Sequence, residues 1–320
     1  MAGTYLDDVA SLIQKIYKGK LATCLLDTSP AYRWMKEKGK VITLIEPYIE
    51  WPIIKGDTGD AQFILDGATI PSASREEYDS AKLEYKIILD AVRVGRLAQQ
   101  SSSGDEFFKS GTAQNLLTKQ VNGALRRIAR KMHLQIVALA KSNVKQFDSI
   151  GDAIAQTTNT YANINRTSNS YWRPYVNSNS GINRSLTETL LWDMLDTLHD
   201  SRSAIPEIVW CGTTAFHALE TLLRTVVTIN NNDPNNLVAG ALAIYWKGIP
   251  FVKMPNLDNN AMFWLDFMSD DGIILYKQHT EDFIVRAEAS DSYDDHMSIA
   301  GHYQLCVNNP WKQGALLDVQ

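Results

Sequence analysis

The sequence is poor in the residue patterns from which metal and catalytic sites are usually built. Its three cysteines, Cys24, Cys211 and Cys306, are far apart and form no CxxC pair. This predicts reduced thiols in an intracellular protein, not a disulfide framework or a structural zinc site. No histidine lies in an HExxH motif, and the GxGxxG, P-loop and GxSxG motifs are also missing. We therefore predict no cofactor, no metal site and no catalytic residues.

Two weaker metal patterns remain as alternatives. His217 and Glu220 are three residues apart on a predicted helix, and Asp294–His296 reads DDH within a predicted polar turn. Either pattern is compatible with a metal-dependent enzyme. A surface contact and a solvated turn are the simpler interpretations.

Long apolar runs are missing too. The longest nearly uncharged run, LVAGALAIYW, has ten residues, about half the length of a membrane span. The first ten residues include Asp7 and Asp8, where a signal peptide would be apolar. We predict a soluble intracellular product without a membrane partner.

Charge is distributed unevenly along the chain. Residues 1–145 contain 21 Lys and Arg against 16 Asp and Glu, whereas residues 146–320 contain 10 against 20. This asymmetry indicates that one half faces a polyanion while the other faces solvent or a partner. Chance unevenness in a large domain is the alternative.

A projecting hairpin is predicted in the first third of the chain. VITLIEPYIEWPII (41–54) contains Pro47 and Pro52, which predicts an edge or bulged strand because proline donates no ladder hydrogen bond. LEYKIILDAVRV (83–94) is a second strand-like run, and a polar stretch of 28 residues separates the two. Such a long excursion with little core of its own is expected to lie on a neighbouring subunit.

A long basic helix follows. Its apolar residues fall on one arc at helical spacing, and its cations fall on the opposite side. The apolar set is Leu117, Val121, Leu125, Ile128, Met132 and Ile136; the cationic set is Lys119, Arg126, Arg127, Arg130, Lys141 and Lys145. Between Lys109 and Lys145 there is no acidic residue. A solvated face, a face turned toward nucleic acid and a face paired with acidic surfaces of a sister subunit all fit this pattern.

The second half predicts a compact α+β subdomain. Ser185 and Glu188 have capping-box spacing, which predicts a helix start. The buried strand EIVWC then ends at Gly212, before a second helix and a set of strands. The preceding loop contains NRTSNSYWRPYV, which mixes arginine with aromatic residues as single-strand nucleic-acid binders do.

Three strings carry a resemblance to a known family: EIVWCGTTAFHALETLL, WKGIPFVKMPNLDNNAMFWLDF, and EDFIVRAEASDSYDD followed by GHYQLCVNNP. With the order of arm, hairpin, basic helix and subdomain, they resemble the major capsid proteins of tailed double-stranded-DNA bacteriophages. That family has the Hong Kong 97 fold, which encapsulins share. The resemblance covers most of the chain from about residue 42 onward.

The resemblance implies an α+β fold divided into four parts. These are an N-terminal arm (1–40), an extended β-hairpin loop (41–95), a peripheral domain (96–185 and 280–320) with a spine helix at about 104–145, and an axial domain (186–279). It implies inter-subunit contacts through the extended loop, for which the candidate residues are Lys55, Asp57, Asp60, Phe63, Ile64 and Leu65. It also places the basic helix face toward packaged DNA, through Lys119, Arg126, Arg127, Arg130, Lys141 and Lys145.

The function implied is structural. Pentamers and hexamers of the chain would form an icosahedral phage head around double-stranded DNA, assembled in the host cytoplasm, with portal, scaffolding and cement proteins as further candidate partners. An encapsulin-like shell, another virion protein and a metal-dependent enzyme are the alternatives.

Overall fold

A computed structural model describes residues 29–55, 77–95, 116–224, 237–238, 241–267, 272–288 and 294–320. Most of the expected N-terminal arm and the loop residues Asp57, Asp60, Phe63, Ile64 and Leu65 therefore lie outside the described residues. The described part contains two main sheets and several helices, which confirms the α+β class.

The elements are numbered in chain order. The helices are α1 (Pro30–Glu37), α2 (Leu116–Val137), α3 (Ile150–Ile154), α4 (Glu188–Asp196) and α5 (Thr213–Arg224). The strands are β1 (Val41–Thr43), β2 (Tyr48–Ile54), β3 (Tyr78–Glu84), β4 (Lys86–Gly95), β5 (Thr160–Tyr161), β6 (Ile164–Asn165), β7 (Tyr175–Asn177), β8 (Ile208–Cys211), β9 (Leu237–Val238), β10 (Ala241–Trp246), β11 (Ile249–Lys253), β12 (Met262–Leu265), β13 (Ile273–Lys277), β14 (Ile284–Glu288), β15 (Asp294–Val307) and β16 (Gly314–Leu316).

The first sheet is built around the long strand β15. Strands β4, β13 and β14 pair with it in antiparallel fashion, and β1 adds to β13 in parallel. The β4–β15 ladder runs from the pair Asp294–Gly95 to the pair Tyr303–Lys86. The predicted DDH turn is therefore wrong, because Asp294–His296 belong to this paired strand.

Helix α2 packs its apolar side against the core that it shares with the first sheet. Val121, Leu125, Ile128, Met132 and Ile136 are all buried, as their helical spacing predicts. The helix ends at Val137, eight residues before the predicted end of the spine helix. The chain turns there because the start of α3 folds back on it: Gly151 N–H donates to the Ala138 carbonyl at 3.2 Å. The predicted helix residues 104–115 lie outside the described ranges.

The second sheet has seven strands in the order β7-β16-β12-β8-β11-β10-β9. Strand β8 lies at its centre, parallel to β11 and antiparallel to β12, and all four of its side chains are buried. Strand β13, inside the expected axial range, belongs to the first sheet, whereas β16, inside the expected peripheral range, belongs to the second. The chain therefore crosses between the sheets more than once.

Helix α4 begins later than its sequence pattern predicts. Its N-cap is Thr187, whose side chain accepts a hydrogen bond from Leu190 N–H, so the capping box at Ser185 is wrong. The preceding residues are held by the end of the chain: Arg184 N–H donates to Asp318 and Leu186 N–H donates to Gln320. These backbone contacts move the helix start past Ser185.

Gly212, between β8 and α5, meets the loop before β12 at very short range. A Cβ atom at this position would lie 1.8 Å from the Asp258 carbonyl oxygen. Gly212 N–H also donates to Ala261 at 2.9 Å, so the backbone has no room to retreat. Only glycine fits this crossing.

We expect Gly212→Ala to destabilise the second sheet strongly because backbone atoms, and not a flexible side chain, occupy the space. Gly123→Ala is the matched control, since it lies within α2 and its nearest neighbour would be a flexible Arg127 side-chain atom at 3.4 Å. We expect the control to stabilise the protein by up to ~1 kcal/mol. Thermal unfolding of both variants measures the difference in their melting temperatures. Equal melting temperatures would contradict the close approach of the Gly212 backbone to the loop before β12.

Candidate nucleic-acid interface and assembly loop

The exposed side of α2 carries most of the cations predicted to face DNA. Lys119, Arg126, Arg127 and Arg130 have exposed side chains, opposite the buried apolar arc. Lys141 and Lys145 are also exposed, but they follow the end of the helix and lie on the turn between α2 and α3. The candidate surface is therefore a helix face continued by a turn.

Two of these six cations are neutralised by other elements. Arg127 Nε lies 2.7 Å from Asp90 Oδ2 on β4, and Lys141 Nζ forms an ion pair with the largely buried Asp148. A count of local charges cannot detect these partners, because one of them is 37 residues away in sequence. Arg127 and Lys141 thus have structural roles in this subunit.

Lys119 also has an interaction within the chain. Of the predicted set Arg126, Arg130 and Lys145 remain, and Lys131 is a fourth cation beside them. Their side chains are exposed and form no ion pair with any described residue. Lys131 is missing from the predicted set because it lies at the edge of the cationic side of α2. Its position next to Arg130 in the sequence was the feature that could have identified it. Four unpaired, solvated cations on one surface can contact phosphates at little desolvation cost.

A groove borders this surface, between β4 and α2. Its volume is about 390 Å³, and its wall includes Ile128 and Phe147. Ile87 and Leu89 also line it, although their side chains are 61% and 58% exposed. Its rim carries Lys86, Asp90, Arg127, Lys131 and Lys145. An apolar floor with a mostly cationic rim suits a segment that is both apolar and acidic. No local pattern in the sequence predicts this groove.

A two-stranded stem is present, but its second strand is not the predicted one. Most of the predicted partner run (83–94) forms β4, which pairs with the distant strand β15, whereas β3 comes mostly from the stretch predicted as a polar excursion. Strands β2 and β3 pair in antiparallel register from Tyr48–Glu84 to Ile54–Tyr78, and Pro52 lies opposite Ser80 in this two-stranded ribbon. The prediction that this strand is not a central one is therefore confirmed for the described residues. Lys55 lies just beyond the last pair, with its Nζ 3.9 Å from Glu77.

The stem is anchored on its own chain. Trp51 Nε1 donates to the Asn308 carbonyl at 3.1 Å, and the Trp51 ring lies 6.4 Å from the Trp172 ring. Tyr171 OH donates to Asp79 at 3.0 Å. The expectation of little core applies at most to the residues beyond the stem, because Ile49, Ala81 and Leu83 are buried.

Two members of the arginine–aromatic segment, Arg166 and Trp172, face inward and are not available to a nucleic acid. Arg166 is fully buried and donates to the carbonyls of Asp152 and Gln156, at 3.1 and 2.7 Å. Burial lowers its pKa to about 10. Trp172 is also buried, with its Nε1 donating to Tyr161. These groups satisfy backbone carbonyls inside the subunit and have no face free for a base.

The two metal alternatives gain no support. The exposed His217 has its Nδ1 3.6 Å from Oε2 of the half-buried Glu220 on α5. Within the described ranges, no group of three or more His, Cys, Asp or Glu side chains is arranged to hold a metal ion. In the same ranges, no helix is long and apolar enough to cross a membrane.

Comparison with known sequences finds no match, either among protein-family models or among curated proteins. Solved structures do match. The capsid subunit of cyanophage A-1(L) has a TM-score of 0.68 at 15% identity, covering 88% of this chain and 90% of that one. The capsid of a native GTA particle has a TM-score of 0.61 at 12% identity, with 90% of each chain covered.

A cellular shell protein matches as well. The encapsulin in the holo-SrpI complex of Synechococcus elongatus has a TM-score of 0.59 at 12% identity, covering 90% of this chain and 88% of that one. At such low identity the similarity establishes architecture and nothing finer. Since it spans nearly the whole of each chain, the chain has the Hong Kong 97 fold of phage capsid proteins and encapsulins.

Proposed function

We propose that this chain is the major capsid protein of a tailed double-stranded-DNA bacteriophage. Copies of it would assemble into the pentamers and hexamers of an icosahedral head. The observation that carries the proposal is the fold match over 88% of this chain and 90% of the cyanophage capsid subunit. Because the match is nearly complete in both directions, the likeness is to a whole shell subunit.

The fold is that of shell proteins, so it indicates a structural and not a catalytic role. His133, for example, has a packing role, because its ring lies between Ser29 Oγ at 2.9 Å and the Pro255 carbonyl at 3.0 Å. A structural shell protein needs fit between copies and no reactive groups.

DNA is the proposed content of the head. The supporting observation is the exposed pair Arg126 and Arg130 on α2, outside the groove, which we place on the inner side of the shell. Contacts between these cations and phosphates are independent of sequence and weaken as salt rises, which suits a wall around packaged DNA. The head would form in the host cytoplasm and persist in the virion, with portal, scaffolding and cement proteins as partners.

The loop beyond the stem is proposed to hold neighbouring subunits together. Residues 56–66 contain Asp57, Asp60 and Asp66, with Phe63, Ile64 and Leu65 and no cation. This composition complements the groove between β4 and α2, which has an apolar floor and a mostly cationic rim. We place the loop of one copy in that groove of the next.

An encapsulin-like shell is the second candidate, supported by the match to the Synechococcus elongatus encapsulin. The content of purified particles distinguishes the two. We expect particles from infected or lysogenic cells to contain nuclease-protected double-stranded DNA of uniform length. Particles that contain one folded protein cargo and no DNA would overturn the phage proposal while leaving the shell proposal intact.

A further inference from the structure

Two histidines contact each other where the β13–β14 connection meets strand β15 of the first sheet. The rings of His279 and His302 are 4.8 Å apart between centroids, in an edge-to-face arrangement. His279 lies in the short connection between β13 and β14, whereas His302 lies on β15, with which both of those strands pair. Gln278 N–H donates to the His302 carbonyl at 3.2 Å, so the connection is held directly beside the ring pair.

The surroundings of His302 favour its neutral form. His302 Nδ1 is buried and has no hydrogen-bond partner among the described residues. Burial lowers the pKa of His302, and the nearby His279 and Arg286 lower that pKa further. A proton on His302 would therefore face a second histidine and a permanent cation.

The other charged groups around the pair do not remove this effect. In the connection itself, the Asp282 carboxylate forms an ion pair with Lys277 Nζ at 3.1 Å, and Glu281 also has an interaction partner. On β4, Ile87 lies opposite His302. The adjacent Lys86 is a further cation, with its Nζ 3.2 Å from Glu84.

We propose that the His279–His302 contact is an acid-sensitive joint that releases the β13–β14 connection from β15 when His302 takes up a proton. The unfolded chain binds a proton at the ordinary histidine pKa of 6.5, above the folded value of His302. The neutral joint therefore contributes its full stability above pH 6.5, and this contribution decreases as the pH falls below 6.5. The extended loop leaves the sheet through β4, next to this joint.

Cys306 reports on the joint locally. It is fully buried on β15, paired with Ile274 of β13, and separation of these strands exposes its thiol. Cys211 is the internal control, because it is equally buried but lies on β8 in the other sheet. Burial raises the pKa of both thiols, so the direct effect of pH on thiol reactivity largely cancels in their ratio.

The test labels the full-length protein with 4,4′-dithiodipyridine at pH 7.5 and 5.5 and quantifies each cysteine by mass spectrometry. We expect the ratio of Cys306 to Cys211 labelling to rise at pH 5.5 in the wild type, and this rise to be lost in His302→Gln and in His279→Gln. His133→Gln should keep it, because burial also lowers the pKa of His133 but this residue lies away from the joint. A ratio that is independent of pH in the wild type, or an undiminished rise in both joint variants, would overturn the proposal.

Discussion

Replacing residues 56–76 with a short glycine–serine linker is expected to give a folded subunit that forms no closed particles. The stem keeps its own anchors in this variant, because Trp51 and Asp79 contact the rest of the chain from β2 and β3. The variant should therefore melt close to the wild-type temperature. What it loses is the apolar and acidic segment that we place in the groove of the next copy.

A substitution in the groove tests the same contact from the other side. Ile87→Asp changes an exposed side chain, so it should cost the isolated subunit little stability. It should nevertheless abolish particles as the loop replacement does, whereas Ile87→Val should preserve them. Sedimentation and thermal unfolding of the three variants provide the measurement. Normal particles from the loop replacement would show that the loop does not join subunits.

Neutralising Arg126 and Arg130 should leave empty shells unaffected and impair the retention of DNA. In the described part of the chain neither side chain forms an ion pair, so neutralising them breaks no ion pair there. Arg127 must be left intact, because its pair with Asp90 joins α2 to β4. If each arginine contacts one phosphate, the slope of log affinity against log salt falls by about 2 in the double Gln variant.

Lys36→Gln combined with Lys247→Gln is the charge-matched control, since both cations are exposed and lie outside α2. DNA retention is measured as the nuclease-protected DNA per particle across a salt series. Equal retention in the double arginine variant and the control would show that this face is merely solvated.

Much of the fold was predictable because its signals are local. The helical spacing from Val121 to Ile136 predicts the buried side of α2, and the apolar run EIVWC predicts the central strand β8. The β-rich run VITLIEPYIEWPII, with its two prolines, predicts strand β2 outside the centre of a sheet. In each case neighbouring residues alone determine the pattern.

The errors share a physical cause, which is contact between residues distant in sequence. Ser185 has the right spacing for a capping box, but the backbone around it pairs with residues near the end of the chain. The DDH segment has the composition of a turn, yet β4 pairs with it along its length. Arg166 is conspicuous beside aromatic residues, but it is buried against carbonyls at the end of α3.

The candidate surface was only partly predictable for the same reason. Local charge counting finds Arg126 and Arg130, which face solvent. It cannot find the neutralisation of Arg127 by Asp90, nor the groove, whose walls come from β4, α2 and the turn before α3. Tertiary packing creates both features.

The most direct test of the account is electron microscopy of the purified full-length protein, expressed both alone and with neighbouring virion genes. We predict closed icosahedral shells, or rings of five and six subunits, in at least one of these preparations. A uniform population of monomers or dimers in every preparation would contradict the proposal that this chain forms a capsid shell.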